Sequence, residues 1–356
     1  MQMGGQMQQL DDMEHIRKLD SQDQFGMVAG LPGQMFDAYA AGGRVALEAG
    51  GEVGGIAVAG MGGSAIGGDV IASVYDAELP SPMVTVRGYR LPHWISSRSL
   101  VFVVSYSGNT EETISCLHEA LERGCRIICL STGGKVGQIA AEKGLPFIQV
   151  PSSLQPRAAM GWLSVPIAAC LENLGLIEAV AEDVREASAE LQKCIELYGP
   201  GNPAAANPAK QLAAELFQRV PVIYGSEVTA VAALRWKCQI NENAKALAFH
   251  NRFPELNHNE IVGWEHPAED MERYRVIYLT DGKMHPQNLK RMDVTAGLLE
   301  RYVGEIRRYP TSGEGRLARL LSSINLGDYL SLYLAILYGI DPSPVERIEN
   351  LKKQLA

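Results

Sequence analysis

The sequence predicts an α/β protein built of two αβα sandwich halves, each a parallel sheet covered by helices. Three observations carry this. From 55 to 150, short apolar runs alternate with amphipathic segments, the pattern of parallel strands that cross over through helices. The stretch Gly199-Pro-Gly-Asn-Pro-Ala-Ala-Ala-Asn-Pro208 then breaks the pattern with the Gly/Pro/Asn density of a linker, and the alternation restarts from 211. Finally, Pro221-Val-Ile-Tyr-Gly-Ser-Glu227 echoes the strand, glycine, serine turns of the first half, so two related halves are expected whose repeat is degenerate in sequence.

Taken in order, residues 9–22 and 34–49 carry helical patterning and define an N-terminal helical segment over 1–50. Its Met/Gln-rich start has no apolar core behind a basic stretch, so it reads as disordered or peripheral, not as a secretory signal. The first domain is expected over 51–198. Its strands fall near 56–60, 83–87, 100–105, 126–130 and 147–150, its helices near 67–76, 110–123 and 135–143, and 152–197 reads as helical. A linker over 199–210 precedes the second domain, 211–356. There the pattern gives a helix to about 218, a strand at 221–224, a helix at 227–246, an irregular stretch, a strand at 274–280, a helix at 286–299, a strand at 304–309 and helices to the end. The apolar run Leu330 to Ile340 is too short to span a bilayer and reads as a buried helix.

Two turns carry the chemistry. Ser105-Tyr-Ser-Gly-Asn-Thr110 follows the apolar run Leu100 to Val104 and leads into Glu111-Glu-Thr-Ile. Three hydroxyls thus gather at a strand end, before a helix start whose free N–H groups and positive dipole end favour an anion. No lysine is present in the turn, which excludes a Walker-type loop and suits a phosphomonoester such as a sugar phosphate better than a nucleotide. The alternative is a Ser/Thr-capped helix after a strand. The second turn, Met61-Gly-Gly-Ser-Ala-Ile-Gly-Gly-Asp69, again joins a strand to a helix. A dinucleotide site would want an acidic residue at the end of the next strand, and that strand ends in Arg87. Gly63, Ser64, Ser105, Ser107 and Thr110 are therefore the candidate phosphate-binding residues, on two walls of one pocket at the carboxyl edge of a sheet. Ser226 is a weaker parallel in the second half. With no matching Ser-x-Ser-x-x-Thr there, a structural turn is expected and only the first half should bind phosphate.

Gly62-Gly-Ser64 with Gly67-Gly-Asp69, and Ser105-Tyr-Ser-Gly-Asn-Thr-Glu-Glu112, resemble the paired signatures of sugar isomerase (SIS) domains. Gln155-Pro-Arg-Ala-Ala159, Asn241-Glu-Asn-Ala-Lys245 and Asn257-His-Asn-Glu260 resemble the bifunctional phosphoglucose/phosphomannose isomerases. The resemblance runs from about Gly54 to the end. It implies two SIS-type subdomains and an enzyme that interconverts glucose 6-phosphate, fructose 6-phosphate and mannose 6-phosphate in the cytoplasm.

Composition agrees. A chain of 356 residues with 46% hydrophobic content can fill two cores. A formal charge of -9 and a pI near 5.4 argue against nucleic acid or an anionic membrane as a partner. The six cysteines (Cys116, Cys125, Cys129, Cys170, Cys194 and Cys238) form no C-x-x-C and read as reduced, buried small hydrophobes. Neither H-E-x-x-H nor any compact His/Asp/Cys set is present, so no metal and no cofactor are expected.

Aldose to ketose isomerisation needs a base to move a proton between adjacent carbons and an acid/base group to open the ring. Glu242 lies near the end of a helix beside apolar Ile240 and Ala244, where partial burial would raise its pKa; a surface glutamate pairing with Lys245 is the competing reading. The resemblance makes Glu242 the base that abstracts the C2 proton, with Glu255 and Glu260 as fallbacks. His258, set among Asn257 and Asn259, is the ring-opening residue that the resemblance implies, donated across a homodimer interface to the partner's pocket. His250 competes with it. Arg157 could hold the enediolate charge or be a surface arginine at a helix start, and the resemblance places it in the site. Lys352, or its neighbour Lys353, matches the family's terminal lysine, against a solvated helix end. Thr280 and Thr311 could contribute to C2-epimer tolerance. The rival readings are an SIS isomerase of another phosphosugar and an inactive sugar-phosphate sensor. Against the sensor, the acidic amino terminus shows no basic recognition helix.

Overall fold

Parallel strands, each returning through a helix, build both halves of the chain. The computed structural model describes residues 2–46 and 52–355. They form an N-terminal unit, Gly30–Leu191 with Gly313–Leu320, and a C-terminal unit, Met1–Ala29, Gln192–Ser312 and Leu321–Ala356. The expected N-terminal helical segment is thus divided at residue 29. Helices α1 (Gln2–Asp11), α2 (Met13–Leu19) and α3 (Gln24–Ala29) belong to the C-terminal unit. The chain start, expected to be disordered or peripheral, is helical and anchored. Leu10 is fully buried, and the Asp11 carboxylate accepts from the buried Lys210 ammonium at 2.9 Å and from the Ala204 amide at 2.8 Å. A buried ammonium requires such acceptors, so the contact fixes both segments.

The N-terminal unit runs α4 (Leu31–Gly43), β1 (Gly55–Ala59), α5 (Gly62–Tyr75), β2 (Met83–Val86), β3 (Ser99–Ser105), α6 (Glu111–Glu122), β4 (Arg126–Ser131), α7 (Gly134–Lys143), β5 (Phe147–Gln149) and α8 (Met160–Asn173). From there α9 (Val180–Tyr198) carries the chain onward. The sheet order is β2-β1-β3-β4-β5, all parallel. Strands β1 and β3 are buried along their whole length, which is why both read as unbroken apolar runs. The helix expected over 67–76 begins earlier, at Gly62, so Gly62-Gly63-Ser64 form its first turn. Glycine lets α5 sit in backbone contact with α8: a Cβ on Gly67 would lie 2.1 Å from the Leu163 carbonyl. Between β5 and α8, where helix was expected, come a loop and one 3-10 turn, Pro156–Ala158. The last residues of the helix expected over 34–49, and the domain boundary expected at 50, lie outside the described residues.

The C-terminal unit continues with α10 (Pro208–Leu216), β6 (Val220–Gly225), α11 (Val228–Asn243), β7 (Phe249–Arg252), β8 (Tyr274–Thr280), α12 (Pro286–Val303), β9 (Arg307–Pro310), α13 (Arg316–Leu337) and α14 (Glu346–Leu355). Its parallel sheet has the order β7-β6-β8-β9. Matching β6 to β1 makes this the strand order of the first sheet, so the faint sequence echo is a repeat of topology. Segment 199–210, expected as a linker, lies inside this unit. Fully buried Asn207 ties it down by donating to the Tyr198 and Gly199 carbonyls while its oxygen caps α10. The stretch expected to be irregular holds β7 and three 3-10 segments, Glu255–His258, Glu260–Glu265 and Ala268–Arg273. The apolar run near the end belongs, up to Leu337, to a helix that starts earlier than expected. By length and composition α13 could cross a membrane, and its apolar window is entirely buried within the protein.

Candidate active site

In the first sheet the chain leaves β1 for β2 on one side and then returns to β3 on the other. The carboxyl ends of β1 and β3 therefore flank a crevice at a topological switch point, where open parallel sheets bind ligands. Both candidate turns open there. Buried Ser64, in the first turn of α5, accepts the Tyr106 N–H with its Oγ at 3.2 Å and so joins the two walls. Buried Ser105 donates its hydroxyl to Thr110 Oγ1 at 3.0 Å. Thr110 occupies the N-cap of α6, yet its side chain makes no capping bond. The capped-helix alternative therefore fails to account for this hydroxyl. Ser107 is exposed, and its Oγ accepts the Asn109 N–H at 3.2 Å. Gly108 has φ +69, and a Cβ on it would lie 1.8 Å from the Gly133 carbonyl, so the loop closes only around glycine.

Arg157 is 4% exposed, which sets aside the surface reading. Its 3-10 turn packs against the start of α5: a Cβ on Gly63 would stand 2.9 Å from the Pro156 carbonyl and 3.4 Å from Arg157 Cα. Gly63, Ser64, Ser105, Ser107, Thr110 and Arg157 are thus gathered at one edge of the first sheet. Arg87, the residue that spoke against a dinucleotide site, is paired with Asp69 on α5.

Glu242, His258 and Lys352 belong to the C-terminal unit, on three separate elements. Helix α11 is clamped to α13 along one face. Buried Arg235 bonds Asp328 through Nε (3.0 Å) and Nη2 (2.9 Å), Gln239 donates to Asp328 Oδ1 at 3.0 Å, Trp236 donates to the Ser323 carbonyl at 2.8 Å, and Asn243 donates to Ser331 Oγ at 2.9 Å. Glu242 projects along the edge of that clamped face and is half-buried. The helix expected to run to 246 stops at Asn243 because Lys245 takes a positive φ, +55. The Lys245 ammonium caps the helix, donating to the carbonyls of Glu242 (2.8 Å) and Asn243 (3.2 Å) and to Pro342 (2.9 Å) across the turn.

His258 ends the 3-10 turn after β7, with its ring exposed, between buried Leu256 and an anchored acidic residue. That residue, Glu260, accepts from Tyr224 and Asn251, while Tyr224 accepts from Trp264 Nε1 at 3.1 Å. Burial and the Glu260 carboxylate push the Tyr224 phenol upward, keeping it a donor. Glu260 is thereby engaged in holding its loop, and Glu255 accepts from Asn259 at 3.1 Å. His250 sits on the edge strand β7 with its side chain exposed; the neighbouring protein, followed by the nearby Lys237 charge, lowers its pKa by limiting solvation of the charged ring, an effect that its exposure keeps small. Thr280 ends β8, and Thr311 donates to Asp281 at 3.1 Å. Lys352 and Lys353 are exposed on α14, which buries none of its residues. Among the described residues, no group of three or more His, Cys, Asp or Glu side chains is placed to hold a metal.

The second sheet has its own switch point, between β6 and β8, and there the geometry differs. Ser226 is fully buried and donates to the Phe253 carbonyl at 3.4 Å, a structural turn as expected. Glu227, with φ +52, accepts the His285 backbone N–H at 2.9 Å and the Asn288 amide at 3.0 Å. His285 is the N-cap of α12. A carboxylate of the protein thus occupies the helix start that corresponds to the start of α6 in the first half. Sequence reasoning missed Glu227 and Tyr106. The bulky aromatic inside a turn of small polar residues was the available signal for Tyr106.

The family described as bacterial phospho-glucose isomerase C-terminal SIS domain matches residues 205–355. A bifunctional phosphoglucose/phosphomannose isomerase of Caldicellulosiruptor bescii is 42% identical over 334 residues, covering 93% of this chain and 98% of the relative. One from Aquifex aeolicus is 35% identical over 302 residues, covering 85% and 90%. Among solved structures, a glucose-6-phosphate isomerase like protein from Thermus thermophilus superposes with a TM-score of 0.62 at 20% identity, over 94% of this chain and 96% of that one. The C-terminal domain of glucosamine-fructose-6-phosphate aminotransferase from Francisella tularensis gives 0.63 at 14% identity, over 90% and 97%. Two parallel αβα units with a hydroxyl-lined turn at a switch point place the chain in the SIS class of sugar isomerases. Within that class, it belongs to the bifunctional phosphoglucose/phosphomannose isomerase family.

Proposed function

We propose that the chain is an aldose-ketose isomerase that interconverts glucose 6-phosphate and fructose 6-phosphate, and mannose 6-phosphate and fructose 6-phosphate. The observation that carries this reading is the β1/β3 edge, where the hydroxyls of Ser64, Ser105, Ser107 and Thr110 converge beside the α6 start and the buried Arg157. The phosphate binds these hydroxyls and the backbone at Gly63. His258 opens the ring with help from Lys352. Glu242 takes the C2 proton, O1 gains a proton to give the enediol, O2 loses one, and Glu242 returns its proton at C1. Arg157 balances the negative charge that develops on the intermediate. These steps use acid–base groups alone and invoke no cofactor or metal.

The enzyme acts as a cytoplasmic homodimer in which His258 completes the partner's site. Supporting this, His258 is exposed on its own chain and adjoins a groove of about 340 Å³ lined by Asn257, Ile261, Lys290, Arg291 and Val294. Val262 and Val294 leave 74% and 56% of their surface uncovered beside it, more than an isolated apolar side chain needs to. Helix geometry supports Lys352 over Lys353 for this role. Ile348, Leu351 and Leu355 form an exposed apolar stripe on α14, and Lys352, four residues after Ile348, lies on that face, whereas Lys353 points away from it. Docking of the stripe would carry Lys352 inward.

A metal-free coupled assay in EDTA that follows glucose 6-phosphate formation tests the reading, first from fructose 6-phosphate and then from mannose 6-phosphate. Turnover of both is expected. Silence on both, with fructose 6-phosphate still bound, would convert the reading to that of a sugar-phosphate-binding protein.

A further inference from the structure

Tyr106 sits in the middle of the hydroxyl-lined turn, and each of its polar groups reaches a different segment of the N-terminal unit. Its N–H is held by Ser64 Oγ at 3.2 Å, and its carbonyl accepts the Thr132 N–H at 2.9 Å. Its hydroxyl lies within 3.0 Å of the Pro151 carbonyl, donates to the Leu154 carbonyl, and accepts the Leu154 N–H at 3.0 Å. The phenol is half-buried, and burial raises its pKa, so it remains protonated at neutral pH.

The segment 151–155 is an irregular loop, and it delivers Arg157 two residues later. On the far side, the Arg157 turn rests on Gly63 without room for a methyl group. The loop is therefore pinned from within by one phenol and stopped from outside by one glycine. The hydroxyls of Ser105, Ser107 and Thr110 are oriented by bonds within 105–110 that do not involve the phenol oxygen.

We infer that Tyr106 is a positioning residue for Arg157: its hydroxyl sets the loop that aims the guanidinium at the charge developing on the reacting carbons, while the phosphate is held independently. This rests on the isomerase reading above. A displaced charge of this kind costs rate more than binding, since a misplacement near 1 Å is worth about 100-fold.

The test is Tyr106→Phe, which removes the hydroxyl and keeps the ring. With fructose 6-phosphate, kcat should fall about 10- to 100-fold while KM stays within about threefold. By calorimetry, a phosphorylated aldonic acid that mimics the enediolate should lose affinity by a similar factor, and inorganic phosphate should bind as in the wild type. In an Arg157→Ala background the same change should cost almost nothing further, because the residue it positions is gone. An unchanged kcat, an equal loss of affinity for both ligands, or additive losses in the double variant would overturn the inference. The two binding measurements stand without turnover, so an inactive wild type would count against the isomerase reading and leave the positioning role to be decided by calorimetry.

Discussion

Replacing Glu242 by Gln is expected to abolish most turnover of fructose 6-phosphate, lowering kcat by about 10²- to 10⁴-fold, the usual contribution of a positioned general base. Substrate binding should persist, with KM within about threefold, because the proposed phosphate-binding residues lie in the other unit and the change is isosteric. The helix should also stay in place: the α11 clamp to α13 runs through Arg235, Trp236, Gln239 and Asn243 and leaves the Glu242 side chain out. Isomerisation in D₂O gives a second readout. Wild-type product should carry deuterium at the reacting carbon wherever the base exchanges with solvent, and the variant should yield neither product nor label. Glu260→Gln supplies the contrast, since that carboxylate is engaged by Tyr224 and Asn251, and its loss should appear mainly as a lower Tm. Full activity in the Glu242 variant would move the base elsewhere.

The largest effect on stability is expected from Asp328→Ala. Asp328 is 2% exposed and is the counter-ion of Arg235, itself 4% exposed, so the variant removes the charge partner of a buried guanidinium and the acceptor of the Gln239 amide. Removing one partner of such a buried pair costs about 3–5 kcal/mol. That is a large share of a typical folding free energy of about 5–15 kcal/mol. Thermal melting and urea unfolding should both report it. The paired replacement Arg235→Met with Asp328→Leu should recover much of the loss, since two apolar groups of similar volume satisfy each other. A single variant within about 0.5 kcal/mol of wild type would mean that solvent reaches the pair.

Much of the fold was legible because its strongest signals are local. Strands β1 and β3 lie in the middle of a covered sheet, so Leu100 to Val104 had to be apolar throughout. Strand β7 escaped notice for the converse reason: Phe-His-Asn-Arg lies at an exposed sheet edge and leaves no apolar run. The two polar turns were also readable, since their residues are neighbours in sequence. What stayed hidden depends on distant segments. Nothing local told whether Arg157 was buried, because the answer rests on Gly63, and the destination of the Lys245 ammonium rests on the turn at Pro342. The helix start at Gly62 was misplaced because glycine reads as a breaker until a neighbouring backbone demands it.

The Glu227 carboxylate at the start of α12 gives the two halves unequal dependence on ligand. A duplicated scaffold with two vacant anion seats would be tightened in both halves by phosphate. Here one seat carries a tethered counter-ion, bonded at 2.9 Å and 3.0 Å, that travels with the chain and never dissociates. Under the function proposed above, the stabilisation gained from the phosphate group falls on the N-terminal unit, since a ligand stabilises the fold that binds it. The C-terminal unit is already complete when the pocket is empty. It can hold the Glu242 helix in its working shape through every cycle of substrate arrival and product release.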